Sequence, residues 1–137
     1  MKRLALCATL FVAGCSGSLP TPPRGEHPLS AFVEVPYPPP AALAETVPEK
    51  PRGDAVWVDG EWNFHGEGYV WRRGGWVATP QGSHFAPWQA WYRSDGRLMM
   101  ARGSWYDDKQ QRLRPPKPIA SADTPPNQIT SEFQTGR

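Results

Sequence analysis

Trp57-Val58-Asp59-Gly60-Glu61-Trp62 and Trp71-Arg72-Arg73-Gly74-Gly75-Trp76 are two copies of one unit, W-x-x-G-x-W. A third, Met100-Ala101-Arg102-Gly103-Ser104-Trp105, keeps the glycine and the second tryptophan. Glycine in the second of two central positions suits a type I′ turn, where both central residues need positive φ, and Asp-Gly is among its favoured pairs. Each unit is therefore predicted to be the tip of a β-hairpin. A two-residue loop makes Val58 and Glu61 the hydrogen-bonded pair and sets Trp57 and Trp62 at the next, non-hydrogen-bonded position, where opposing side chains come closest.

Working outward, a four-residue loop at His65-Gly66-Glu67-Gly68 places Phe64 opposite Tyr69 and Trp62 opposite Trp71. The result is one row, Trp57-Trp62-Trp71-Trp76, across four strands. Ala55, Phe64, Tyr69 and Ala78 form the row beside it. A three-residue loop would turn Trp71 to the other face, because a one-residue slip inverts a strand. The same arithmetic at Asp95-Gly96 sets Trp91 opposite Met100, and Met100 opposite Trp105. All seven tryptophans fall between Trp57 and Trp105, in a stretch rich in valine, tyrosine and glycine, where strands are favoured. The expected fold is mainly β, a small antiparallel meander of Trp-rich hairpins over residues 55–107, flanked by Pro-rich extended or disordered segments.

These residues resemble the YXWGXW (WXXGXW) repeat family of bacterial envelope proteins, often predicted lipoproteins. The resemblance is close from Val56 to Pro80, including Tyr69-Val70-Trp71 and Pro80, and looser from Pro36 to Trp105. It departs at Arg73-Gly74-Gly75, where the glycine comes one residue later than in the shortest form, and at Met100, which replaces a tryptophan. The turn glycine survives both departures. The structural repeat residues are then Trp57, Gly60, Trp62, Tyr69, Trp71, Gly74, Trp76, Gly103 and Trp105. The resemblance implies an envelope location and this fold, and carries no established activity.

The start of the chain gives the same location independently. Met1-Lys2-Arg3, the apolar run Leu4 to Val12 and Ala13-Gly14-Cys15-Ser16 have the layout of a secretory signal with a small-residue cleavage site. At roughly nine residues the apolar run is too short to span a bilayer, which takes about 20. Val12-Ala13-Gly14-Cys15 resembles the lipobox of bacterial lipoproteins, in which the cysteine is lipidated and becomes the first mature residue. Residues 1–14 are therefore expected to be a signal peptide and Cys15 a membrane anchor. Each buried methylene contributes about 0.8 kcal/mol, so two or three acyl chains hold a protein at a membrane. Cys7, the only other thiol, leaves with the signal, so the mature chain has no disulfide. Ser16 after the cysteine, in place of aspartate, favours the outer membrane.

Proline recurs from Pro20 to Pro51; it fixes φ and removes backbone donors. Residues 15–54 are thus expected to be a lipid-anchored tether, with a candidate edge strand at 31–35. Its ~39 residues would set the domain roughly 35 to 120 Å from the lipid. The polar, Pro-rich stretch 108–137 is expected to be a disordered tail.

The net charge is +2, and the signal removes Lys2 and Arg3, leaving 13 basic against 13 acidic side chains. A neutral chain with interspersed signs has no footprint for nucleic acid. His65 and His84 have neither cysteine nor helical i, i+4 partners and read as exposed loop residues, and no nucleophile constellation is present. Neither catalysis, metal nor cofactor is expected. Two functional classes follow: a structural or interaction protein of the envelope, and a glycan-binding module using exposed tryptophan and tyrosine, with Trp88, Trp91 and Tyr92 as candidate contacts. They differ in whether the tryptophan row is core or open platform.

Overall fold

The computed structural model describes residues 17–123; the expected Cys15 anchor, the expected signal segment and residues 124–137 lie outside them. The fold is mainly β, in small antiparallel sheets. Its frame is two long two-stranded ribbons. In the first, β2 (Val56–Val58) and β3 (Glu61–His65) run out, and β4 (Gly68–Arg72) and β5 (Gly75–Val77) return. Trp57 faces Trp76, Trp62 faces Trp71 and Phe64 faces Tyr69. The register is the same on both sides of an unpaired step, Asp59-Gly60 opposite Arg73-Gly74. A single turn closes the ribbon, at Gly66-Glu67 between the paired His65 and Gly68. Gly66 has φ 61, as a two-residue hairpin loop with glycine first requires.

The expected hairpin tips at Asp59-Gly60 and Arg73-Gly74 are therefore absent, and so is the single row of four tryptophans. Trp57 pairs with Trp76 rather than Trp62. The sequence reading took the motif glycine for a turn glycine, but neither Gly60 nor Gly74 has positive φ. The glycines serve close approach. A Cβ on Gly74 would lie 2.7 Å from the Trp57 ring and 2.9 Å from the backbone nitrogen of Gly60, and one on Gly60 would enter the Trp71 ring. The motif is a crossing where an indole from the facing strand lies over bare backbone.

The second ribbon repeats this plan with β6 (His84–Ala86), β7 (Gln89–Tyr92), β8 (Leu98–Ala101) and β9 (Ser104–Tyr106). Phe85 faces Trp105 as Trp57 faces Trp76, and the unpaired step is Pro87-Trp88 opposite Arg102-Gly103. Its tip is one residue longer than expected. Arg93 N–H donates to Arg97 O (2.9 Å) and Gly96 N–H to Arg93 O (2.9 Å), with Gly96 at φ 84. A three-residue loop with a left-handed glycine is the next commonest hairpin closure. It sets Trp91 opposite Met99, and Met100 opposite Ala90, correcting the expected Trp91–Met100 pair; the expected Met100–Trp105 pair is absent because Arg102-Gly103 is an unpaired step and not a turn, so Trp105 faces Phe85. The slip turns Trp91 away from the face that buries Met100.

The ribbons stack front to back. On the first, Ala55, Trp57 and Trp76 share one face with Ala120 and Ala122. Its opposite face, Val56, Val58 and Val77, receives Phe85 and Trp105 of the second ribbon. Farther out, Phe64 and Tyr69 pack against Val35, Leu98 and Met100. Val35 belongs to β1 (Val33–Val35), an edge strand on β8, within the segment where the sequence suggested one.

The proline-rich flanks are part of this fold, which corrects the expected tether and, as far as Asp123, the expected disordered tail. Tryptophan's indole only donates and proline's backbone only accepts, so an extended Pro-rich strand can satisfy buried indoles. Trp62 Nε1–H donates to Ala41 O (2.9 Å) and Trp76 Nε1–H to Pro48 O (2.9 Å). Earlier carbonyls serve backbone donors: Pro20 O receives Trp57 N–H (2.7 Å) and Pro23 O receives Phe85 N–H (2.8 Å). On the C-terminal side β10 (Ala120–Ser121) pairs with β5, and Leu113 N–H donates to Trp105 O (2.8 Å). Reading proline only as a strand breaker overlooked its intact acceptors.

Candidate functional site

Two carboxylates lock the ribbons at their glycine crossings. Glu45, from the Pro-rich segment, accepts the Gly74 N–H on both oxygens (3.1 and 3.0 Å) and the Trp71 indole N–H (2.8 Å). Glu61, from the first ribbon, accepts the Gly103 N–H on both oxygens (3.0 and 3.1 Å) and pairs with Arg72 at 3.2 Å. Gly103 needs its missing side chain, since a Cβ there would lie 2.5 Å from Glu61 Oε2 and 2.8 Å from the Phe85 ring. Glu45 thus does for the first ribbon what the first ribbon's Glu61 does for the second. The Pro-rich segment stands where a preceding repeat would stand, as capping units do in stacked repeats.

The structure buries most of the repeat residues. Trp57 and Trp62 are each 4% exposed, Trp76 1% and Trp105 3%, while Tyr69 and Trp71 are half-buried. Facing rings meet edge to face: Trp57–Trp76 at 5.4 Å, Trp62–Trp71 at 5.2 Å and Phe64–Tyr69 at 5.2 Å, a geometry that adds about 0.5 to 1.5 kcal/mol per pair. Tyr69 donates its hydroxyl proton to Tyr37 O (2.7 Å); burial, reinforced by Tyr37 and Tyr92, pushes its pKa up to about 12. Among the three candidate ligand contacts, Trp88 is half-buried, whereas Trp91 (42% exposed) and Tyr92 (64%) stand at the tip of the second ribbon.

His65 is exposed at the end of β3, but His84 is not a loop residue. It lies in β6, half-buried and stacked on Tyr106 at 5.9 Å. His27 bridges the same neighbourhood. Its Nε2–H donates to Pro87 O (2.7 Å), which leaves Nδ1 to accept the Tyr106 hydroxyl proton (3.1 Å). Among the described residues, no group of three or more His, Cys, Asp or Glu is placed to hold a metal ion.

Beside Tyr106 a cleft of about 500 Å³ opens between the ribbons and the 28–33 segment, lined by Asn63, Phe64, Met100, Arg102, Ser104 and Arg112 among others. Sequence reasoning singled out none of these as a ligand contact. Asn63, Arg102 and Arg112 come from three separate parts of the chain, and no local spacing joins them. A scan against protein-family models, a search of curated proteins and a search of solved structures each found no match.

Proposed function

We propose that this chain is a lipid-anchored, non-catalytic protein of the bacterial cell envelope, of the YXWGXW repeat type, that presents a rigid β-domain to another envelope component. The observation that carries the reading is the covering of the tryptophan pairs by the chain's own Pro-rich strand. Indoles spent on the core do not form an open stacking platform. The N-terminal motif at Val12-Ala13-Gly14-Cys15 supplies the anchor, and Ser16 after it favours the outer membrane.

The packing of the flank changes the geometry of anchoring. Pro20 already accepts the Trp57 N–H, so the free leash from Cys15 reaches only about 18 Å when fully extended. The domain then rides close to the lipid surface, not tens of ångströms away on a stalk.

Mass spectrometry of the protein recovered from membranes is expected to show acyl mass on an N-terminal Cys15, and Cys15→Ser to release the chain into the soluble fraction. An unmodified mature N-terminus, or a serine variant still in the membrane fraction, overturns the anchor. The exposure of Trp91 and Tyr92 favours a second reading, glycan binding at the tip of the second ribbon. Its mark would be a change in Trp91 fluorescence on adding a cell-wall saccharide.

A further inference from the structure

The cleft beside Tyr106 combines three features that its fold does not use. Arg102 and Arg112 both line it, and neither has a carboxylate within ion-pair distance among the described residues. Glu61, the acid that acts on Arg102, is already engaged by Arg72 and by the Gly103 N–H. Partial burial lowers the pKa of Arg102, and the Arg112 charge lowers it further, so two like charges share the cleft with no carboxylate partner of their own among the described residues. The third feature is Asn63. Only 8% exposed, it lines the cleft with its Oδ1 buried and without a hydrogen-bond donor. Most buried polar atoms in native proteins are paired, and an orphan calls for an explanation.

We propose that this cleft binds an oxyanion carried on a hydroxylated body, a sugar acid or a sugar phosphate, with Arg102 and Arg112 holding the anion and Asn63 receiving a hydroxyl. Guanidinium forks match the planar oxygens of carboxylate and phosphate. About 500 Å³ lies within the range of small-ligand sites, with room for one or two sugar rings. Phe64 and Met100 supply an apolar wall for a ring face. The site lies apart from Trp91, which points from the other face of its sheet, and it depends neither on the lipid anchor nor on glycan stacking at the ribbon tip.

Calorimetric titration of the full chain with glucuronic acid, glucose 6-phosphate, inorganic phosphate and glucose tests this. Both anionic sugars are expected to bind, with glucose at least tenfold weaker and free phosphate weaker than its sugar ester. Binding of only one anionic sugar identifies the oxyanion as carboxylate or phosphate and keeps the assignment. Arg112→Gln, at an exposed position, is expected to weaken binding about tenfold without moving the thermal midpoint, and Asn63→Asp to weaken it by like-charge repulsion. Absence of heat with both anionic sugars, affinity unchanged in Arg102→Gln/Arg112→Gln, or free phosphate bound as tightly as the ester each overturns the proposal.

Discussion

Trp76→Ala is expected to unfold the domain or to lower its stability by about 3 to 5 kcal/mol, the range for deleting a large buried aromatic. Trp76 is 1% exposed and meets Trp57 at 5.4 Å, and its indole N–H ties down Pro48. The substitution thus removes core volume and one fastening of the Pro-rich cover together. For a domain of about 100 residues, whose whole stability is on the order of 5 to 15 kcal/mol, the loss is severe. Urea denaturation followed by the remaining tryptophans measures it. Trp91→Ala, at a position 42% exposed, is the matched control and should move the midpoint far less. Equal shifts for the two variants would contradict the burial described above.

Glu61→Ala is expected to cost about 2 to 4 kcal/mol, because it removes a charge-assisted bond and strands the donor it served. The Gly103 N–H would lose both acceptor oxygens and Arg72 its partner. The Arg72 Nη2 that meets Glu61 is itself buried, so the loss of its counter-ion adds to the loss at the backbone amide. Glu61→Gln should recover part of the stability, since its side-chain carbonyl still accepts the N–H, while Glu67→Ala on the exposed first tip should be neutral. Thermal melts of the three variants check the order, and a Glu61→Ala midpoint equal to that of Glu67→Ala would remove the carboxylate–glycine lock from the account.

Pairing arithmetic along the repeat was enough to read the β class and the Phe64–Tyr69 and Trp62–Trp71 pairs, because side chains alternate strictly along a strand; the expected four-residue loop at His65 to Gly68 is a two-residue turn in the same register, since His65 and Gly68 themselves pair. The role of Gly60 and Gly74 was not legible. A glycine kept for a left-handed turn and one kept for close approach look alike in a sequence, and only the Trp57 and Trp71 rings lying over the backbone distinguish them. Likewise, Asp95-Gly96 fits a two-residue loop and a three-residue loop equally well, and that single residue decides which way Trp91 points. The Pro-rich strand was missed for another reason. Its contribution is a series of carbonyls, present at every residue and so without a sequence signature, and Glu45 is one acidic residue among 13. Arg112 is folded back beside the second ribbon by the turn that bridges it to Tyr106, and Asn63 of the first ribbon meets Arg102 and Arg112 only through the stacking of the ribbons, a long-range consequence that no local pattern encodes.

The central claim is that the segment from Pro20 to Pro48 is a wall of the domain rather than a leash. Hydrogen exchange of the indole N–H groups, resolved by NMR on residues 17–123, tests it most directly. Trp62, Trp71 and Trp76 donate to Ala41, Glu45 and Pro48 at 2.8 to 2.9 Å and are predicted to exchange slowly, at rates set by global opening, while Trp91 exchanges at the rate of a free indole. Fast exchange at all four positions would contradict the account, because the tryptophan pairs would then be uncovered and the Pro-rich segment free.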